Sequence, residues 1–201
     1  MPKLLLASTN AGKLREMRDL LKDLDFDICS PAELDIELHV KEDGHTYAEN
    51  AASKALAFAR RAGLLSLADD SGLEVDALDG APGLYSARYS PQPGADDADR
   101  RSYLLAQLHG HSQPWGAKFH CTVAIATPEG ELYFTEGDCS GEIIPYERGF
   151  GGFGYDPIFL IPETGLTMAE LNMEEKNCLS HRSRAVKDAV PLLVELLSKT
   201  K

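Results

Sequence analysis

Two adjacent carboxylates, Asp69 and Asp70, follow an apolar run and precede a Ser-Gly pair. The run from Leu64 to Ala68 predicts a short buried strand that begins after Gly63. A strand that ends in Asp-Asp-Ser-Gly would bring charge to a sheet edge, where α/β proteins usually bind ligands. Neighbouring carboxylates need relief from their repulsion, and Mg²⁺ is a suitable cation for hard oxygen ligands. A polar turn is an equally good interpretation of this segment alone.

A second candidate site lies where the first predicted strand, which begins at Lys3, meets the first predicted helix. It comprises Ser8, Thr9, Asn10, Ala11, Gly12 and Lys13. Backbone N–H groups at a helix start favour an anion, and Lys13 adds a cation, so the segment could bind phosphate. It lacks the spacing of a Walker A loop. The alternative is an ordinary helix cap with a solvated Lys13.

Two further segments carry aromatic and cationic side chains. Phe153, Gly154, Tyr155 and Asp156 follow a glycine-rich stretch, and exposed aromatics there could stack on a planar base. The same aromatics could instead anchor the loop to the core. His181 and Arg182 begin the last predicted helix, with Lys176 upstream. Cations at a helix start oppose the dipole, which suggests a ligand that needs donors.

Single charged residues are less informative. Lys54 lies on a helix that Thr46 and Glu49 are expected to cap through a capping box. Taken alone, Lys54 is expected to be solvated and Glu49 to serve the cap. Glu42 lies in an irregular acidic stretch, where a glutamate can serve solubility only.

Bulk composition limits the function classes. The chain has 201 residues and a formal net charge of −12, which argues against a general nucleic-acid binder. No segment is long enough for a membrane span, and the N-terminal apolar run is too short for a signal peptide. Cys29, Cys121, Cys139 and Cys178 form no CxxC pair, so we expect reduced thiols in a cytoplasmic protein.

Strands and helices alternate along the sequence, which predicts an α/β fold with a mixed sheet. The predicted helices lie from Leu14 to Leu24, from Thr46 to Ala62, from Asp96 to Leu108, from Met168 to Glu175 and from Arg182 to Ser198. A long hairpin is predicted from residues 117–127 and 131–140.

Six motifs in this order resemble the nucleoside triphosphate pyrophosphatases that act on inosine and xanthosine triphosphates. They are Ala7-Ser8-Thr9-Asn10-Ala11-Gly12-Lys13, Glu49-Asn50-Ala51 with Lys54-Ala55, Ala68-Asp69-Asp70-Ser71-Gly72-Leu73, Gly80 to Tyr89, Gly151 to Pro157, and Ser180-His181-Arg182. The resemblance covers essentially the whole chain. Tyr47, where that family usually has Phe, and Pro91, where glycine is usual, depart from the pattern.

The resemblance implies a single two-lobed domain over residues 1–201, built on a long mixed sheet with two α/β lobes around a cleft and related to the Maf proteins. It implies Mg²⁺-dependent hydrolysis of inosine, deoxyinosine and xanthosine triphosphates to the monophosphate and pyrophosphate. A cytoplasmic homodimer without nucleic-acid or membrane partners is expected.

The resemblance also assigns residues. It implies phosphate binding by the segment from Ser8 to Lys13, metal ligation by Glu42 and Asp70, and a general base at Asp70. Asp69 would be a second metal ligand or a partner of the ligands, and Lys54 would offset phosphate charge. The remaining substrate contacts would be Ser71, Phe153, Gly154, Tyr155, Asp156, Lys176, His181 and Arg182.

Two rival functions remain open from the sequence. A nucleotide sensor would bind without hydrolysis, although a binder has no need of a base beside the phosphates. A pyrophosphatase for other modified nucleotides, as in the Maf-like proteins, would share the chemistry and differ in the base that it accepts.

Overall fold

The computed structural model describes residues 1–198, and within them seven strands form one mixed sheet. The strands are Lys3–Leu6 (β1), Asp27–Cys29 (β2), Leu65–Val75 (β3), Trp115–Ala126 (β4), Leu132–Ile143 (β5), Phe159–Ile161 (β6) and Leu166–Thr167 (β7). The helices are Ala11–Leu21 (α1), Tyr47–Ala62 (α2), Asp97–Gln107 (α3), Met173–Leu179 (α4) and His181–Ser198 (α5). The predicted α/β fold with a mixed sheet is confirmed.

The strand order is β2-β1-β3-β4-β5-β6-β7. β1 pairs in parallel with β2 and β3, whereas β6 pairs antiparallel with β5 and β7. β4 and β5 are neighbours joined by a short turn, as the predicted hairpin requires, and Gly130 in that turn donates to the carbonyl of Thr127.

The chain divides into two compact units. Unit 1 contains residues 1–70, 121–137 and the segment from 182 onward, and unit 2 contains residues 71–120 and 138–181. The single domain over residues 1–201 stays a prediction.

Unit 1 has an apolar core on each face of β3. On one face, Leu65 and Leu67 pack with Met17 of α1 and with apolar residues of α5. On the other face, Ala68 packs with Ala51 and other small residues of α2. Successive side chains of a strand point to opposite faces, so α1 and α5 cover one face of this strand and α2 covers the other.

The acidic pair lies inside β3 and not at its end. The strand continues from Leu65 through Asp69, Asp70 and Ser71 to Val75, so the prediction of a strand ending at the two carboxylates was wrong, and so was the polar turn. The physical reason is the pleat, which separates the two charges onto opposite faces without ending the strand.

The start of α2 fits its predicted cap. Thr46 Oγ1 accepts from the backbone N–H of Glu49 at 3.1 Å, and Gly63 ends the helix with a φ of +66°. The carboxylate of Glu49 accepts from the N–H of His45, so the reciprocal bond of the box goes to the residue before the cap.

The fourth helix begins later than predicted. In the range expected to be a helix, from Met168 to Glu175, residues 168–172 form a largely buried turn after β7, and α4 begins at Met173. Asn172 and Glu175 form the capping box that starts α4, and the N–H of Met168 instead bonds the carbonyl of Phe159.

Unit 2 has its own core, formed by residues of β3, α3, β4 and β6 with Tyr155 among them. None of the helices within residues 1–198 has the length and apolarity needed to cross a bilayer. All four cysteines are free thiols, as the sequence predicts.

Candidate active site

Asp69 is held in unit 1 between two cations. Its Oδ2 lies 3.1 Å from Lys13 Nζ and accepts from Arg182 Nε at 3.1 Å. Arg182 is 2% exposed and donates through a second nitrogen to Glu16 at 2.5 Å. Helix α1 therefore brings Lys13 and Glu16, and helix α5 brings Arg182, to the face of β3 that carries Asp69.

The surroundings of Asp69 keep it ionised. Burial alone would raise the pKa of this carboxyl, but the charges of Lys13 and Arg182 outweigh burial and hold the pKa well below its ordinary value. Its second oxygen, Oδ1, is buried and has no hydrogen-bond partner among residues 1–198. A carboxyl with so low a pKa is a weak base.

Asp70 faces α2 on the opposite side of the strand. Asn50 Nδ2 donates to Asp70 Oδ2 at 3.0 Å, and Lys54 Nζ lies 3.5 Å from Asp70 Oδ1. Burial raises the pKa of Asp70, and the charges of Lys54 and Lys13 only partly offset this effect. A carboxyl with a raised pKa accepts a proton more readily, so Asp70 has the properties of a general base.

The Lys54 ammonium contacts both Asp69 and Asp70. Its Nζ donates to the backbone carbonyl of Asp69 at 2.7 Å and lies 3.3 Å from Glu42 Oε1. Burial would lower the pKa of Lys54, but the carboxylates of Asp70, Asp69 and Glu42 raise it. The expectation of a solvated Lys54 was wrong, since its ammonium is buried among acidic groups.

The segment from Ser8 to Lys13 combines a cap with a paired cation. Asn10 is the N-cap of α1, and its side chain accepts from the N–H of Lys13 at 3.0 Å. The N–H of Asn10 donates to Ser8 Oγ at 3.2 Å, while Thr9 is exposed. The cap interpretation is thus confirmed for Asn10, but Lys13 is held against Asp69 and is not a solvated side chain.

The metal assignment rests on two carboxylates. Glu42 and Asp70 contact the same ammonium, since Lys54 Nζ lies 3.3 Å from Glu42 Oε1 and 3.5 Å from Asp70 Oδ1. No group of three or more His, Cys, Asp or Glu side chains is placed to hold a metal within residues 1–198. Mg²⁺ is often bound by one or two carboxylates that are completed by substrate phosphates and water, so this donor set fits it. Asp69 lies on the other face of β3, which favours its role as a partner over that of a ligand.

In unit 2, three of the predicted base-binding residues contact one another through the carboxylate of Asp156. Asp156 Oδ2 accepts from the N–H of Phe153 at 2.8 Å and from Lys176 Nζ at 2.6 Å. The Lys176 ammonium also lies 5.4 Å from the centre of the Phe153 ring. The structure therefore brings Phe153, Asp156 and Lys176 together, and their binding of a base stays a prediction.

The other residues expected in base binding fall into different surroundings. His181 is buried in unit 2 and stacks on Phe119, with ring centres 4.7 Å apart. Ser71 is a half-buried strand residue of unit 2. Arg182 belongs to unit 1, where it pairs with Asp69 and Glu16. These two carboxylates account for the presence of Arg182 at a helix start, so its position there does not require a ligand.

Three residues of the site were missed as site residues by sequence reasoning. Glu16 stands between arginines on an exposed-looking helix, and no local pattern points to its partner Arg182. Phe119 belongs to an ordinary alternating strand. Asn50 carried a signal, because its spacing of four from Lys54 puts both on one helix face.

Known proteins resemble this chain over nearly its whole length. A model of the Ham1 family matches residues 4–192. The chain is 49% identical over 195 residues to a dITP/XTP pyrophosphatase of Desulforamulus reducens, covering 96% of each chain. It is 48% identical over 189 residues to a dITP/XTP pyrophosphatase of Geobacter sulfurreducens, covering 92% of this chain and 94% of the other.

Solved structures of Ham1 proteins also resemble this chain. A HAM1 protein from Coxiella burnetii superimposes with a TM-score of 0.86 at 40% identity, covering 97% of this chain and all of the other. The Staphylococcus aureus Ham1 protein gives 0.81 at 37% identity, covering 99% and 100%. The chain belongs to the Ham1 family. Its mixed sheet is the fold of these Ham1 structures.

The different surroundings of the two aspartates predict opposite effects on stability. Asp69→Asn should lower the free energy of unfolding at pH 7 by about 3–5 kcal/mol, because it leaves Lys13 and Arg182 buried without their shared carboxylate. Asp70→Asn should leave that free energy unchanged or raise it, because the fold disfavours the ionised form of Asp70. Denaturant unfolding of both variants measures the contrast, and equal losses would contradict it.

The Asp69 effect should depend on pH. The pKa of Asp69 is lower in the folded chain than the ~3.9 of an unfolded Asp, so its stabilisation is fully present above that value and is lost as the pH falls through the folded pKa. The difference between wild type and Asp69→Asn should shrink below about pH 4. A difference that stays constant down to pH 3 would argue against an ionised, paired Asp69.

Proposed function

We propose that this chain hydrolyses inosine, deoxyinosine and xanthosine triphosphates to the nucleoside monophosphate and pyrophosphate. The observation that carries the proposal is the buried Asp70 carboxyl, held by Asn50 beside the Lys54 ammonium. Relatives with the name dITP/XTP pyrophosphatase support the same activity. The enzyme is thus a hydrolase of the bond between the α- and β-phosphates.

Asp70 acts as the general base. It takes a proton from a water molecule as the water oxygen bonds to the α-phosphorus and the bond to the bridging oxygen breaks. The leaving pyrophosphate carries away the electron pair of that bond. Burial raises the pKa of Asp70, and a carboxylate with a raised pKa accepts a proton more readily than an ordinary one.

The phosphates bind to the cations of unit 1. Lys13 stands at the start of α1, where the backbone N–H groups and the helix dipole also favour an anion. Lys54 lies beside Asp70 and offsets charge near the reacting bond. In this cluster Glu16, Glu42, Asp69 and Asp70 outnumber the cations Lys13, Lys54 and Arg182 by one, so a triphosphate needs additional positive charge.

Mg²⁺ is the proposed source of that charge, with Glu42 and Asp70 as its protein ligands. When bound, it supplies Lewis-acid stabilisation to the phosphate oxygens. Glu42 is partly exposed on an irregular segment and is held by Lys54, so its carboxylate can remain accessible to a cation that arrives with the nucleotide.

The base binds to unit 2. Phe153 offers a ring face for stacking, and the Lys176 ammonium beside it offers donors and no acceptor. The 6-oxo group of hypoxanthine or xanthine accepts from such donors, whereas the 6-amino group of adenine is itself a donor. A site built for an acceptor thus discriminates strongly against adenine. His181 is buried elsewhere in unit 2, where it stacks on Phe119, and it has no assigned role in this contact with the base.

A pyrophosphate-release screen tests the proposal. Inosine, deoxyinosine, xanthosine, guanosine, adenosine and thymidine triphosphates are each supplied with and without Mg²⁺. We expect release from the inosine and xanthosine substrates only, and only with Mg²⁺. Binding without release would favour the nucleotide sensor, and preferential turnover of thymidine or guanosine triphosphate would favour a Maf-like specificity.

Asp70→Asn should lower kcat for inosine triphosphate by about 10²–10⁴-fold, because the amide cannot take the proton. Asp27→Asn, which changes an exposed carboxylate on β2, is the matched control and should keep wild-type turnover. Wild-type pyrophosphate release by Asp70→Asn, with the fold intact, would remove Asp70 from the role of base.

Lys13→Ala should raise KM for triphosphates by about 10-fold or more, which corresponds to the loss of one charge-assisted contact. Lys22→Ala, which removes an exposed lysine directly after α1, is its control. An unchanged KM in Lys13→Ala would place the phosphates elsewhere. The homodimer and the cytoplasmic location stay predictions.

A further inference from the structure

Helix α3 holds the loop that carries Phe153 by one residue of that loop. The backbone N–H of Gly154 donates to Asp97 Oδ2 at 2.7 Å, and the carbonyl of Gly154 accepts from Arg101 at 2.8 Å. Both contacts lie within unit 2. Asp97 and Arg101 are four residues apart, so they share one face of the helix. Together they form hydrogen bonds with both backbone polar groups of Gly154.

Asp97 and Arg101 each form an ion pair with a further residue. Arg101 makes two bonds to Glu147, at 2.8 and 3.0 Å, and its side chain is largely buried. Asp97 pairs with Arg100 through its other oxygen. Burial would raise the pKa of Asp97, but Arg100 and the N–H of Gly154 lower it, so the acceptor is ionised and its bond to Gly154 is charge-assisted.

The helix that carries these side chains has a fixed start. Asp96 and Asp99 form a reciprocal capping box around the first turn, in which Asp97 lies. Leu104 of the same helix is fully buried in the core of unit 2. The contact points on α3 therefore lie on a capped helix that is anchored in the core through Leu104.

Gly154 lies between two residues, Phe153 and Tyr155, that form hydrogen bonds of their own. Gly154 has a φ of +61°, a conformation that strains any side chain with a Cβ. Phe153 before it is tied to Asp156, and Tyr155 after it donates its hydroxyl to the carbonyl of Ser86 at 2.8 Å. A shift of Gly154 would move the Phe153 ring.

We propose that Asp97 and Arg101 are positioning residues that set the nucleobase specificity by fixing Gly154 and, through it, the ring of Phe153. The inference rests on the proposed function, since it assumes that this loop receives the base. Neither side chain touches the phosphates in this account, so both act on base binding only.

Asp97→Ala and Arg101→Met test the inference in the full chain. Each should raise KM for inosine triphosphate by about 10-fold or more, because a small displacement of a recognition group has a large effect. Each should change kcat less than KM. Each should also raise the turnover of adenosine triphosphate relative to inosine triphosphate, since a loosened site discriminates less.

A second readout separates positioning from a general loss of structure. Pyrophosphate, the proposed product, has no base, so its inhibition constant should stay within about twofold of wild type in both variants, which is below the usual effect of a lost contact. Asp97→Asn keeps an oxygen acceptor for Gly154 and should recover most of the wild-type KM. Glu147→Ala removes the ion pair of Arg101 but keeps its bond to Gly154, and should have the smallest effect.

The double variant Asp97→Ala with Arg101→Met gives the sharpest comparison. Because both side chains act through Gly154, their combined effect on KM should be smaller than the product of the single effects. Unchanged KM values, or parallel losses of nucleotide and pyrophosphate binding, would overturn the inference while leaving the proposed function intact. A wild-type protein that releases no pyrophosphate from any nucleotide would instead overturn the proposed function.

Discussion

The site depends on the pleat of β3, which sends two neighbouring carboxylates to opposite faces of the sheet. Asp69 meets Lys13 and Arg182, whereas Asp70 meets Asn50 and Lys54. Side by side on one face, the two charges would repel each other and share their cations. Separated by the backbone, they take different pKa values, one below and one above the ordinary range. This separation gives Asp69 a structural task and leaves Asp70 for the proposed chemistry.

The buried charges of unit 1 form a connected set. Glu16, Arg182, Asp69 and Lys13 follow one another in contact across the side of β3 that α1 and α5 cover. Breaking such a set by removing one member is costly, because the remaining charge stays buried. The set also fixes where Lys13 stands at the start of α1. The proposed phosphate binding by Lys13 and the stability of unit 1 thus depend on the same carboxylate, that of Asp69.

The sequence predicted the residue types of the site better than their partners. The resemblance named Asp70, Lys54, Phe153, Asp156 and Lys176 as site residues, but neither motif nor spacing gave their contacts with one another, and Lys54 taken alone was expected to be solvated. Two features could not be predicted from local patterns, because Arg182 meets Glu16 across 166 positions of the chain and Asp69 meets Lys13 and Arg182 from other helices. Such outcomes are decided by tertiary contacts. The start of α4 was different, since its capping box of Asn172 and Glu175 is a local signal that the sequence analysis did not use.

The proposed recognition of the base uses side chains of unit 2 that second partners hold, such as Lys176 held by Asp156. The proposed chemistry uses side chains of unit 1 that are held in the same manner, such as Asp70 by Asn50. The most direct test of the whole account is the titration of the two aspartate carboxyl groups in the wild-type protein by carbon NMR, with Asp69→Asn and Asp70→Asn giving the assignments. We expect Asp70 to titrate above ~3.9, the value of an unperturbed Asp, and Asp69 to titrate below it. Two carboxyls that titrate together, or in the reverse order, would contradict the account.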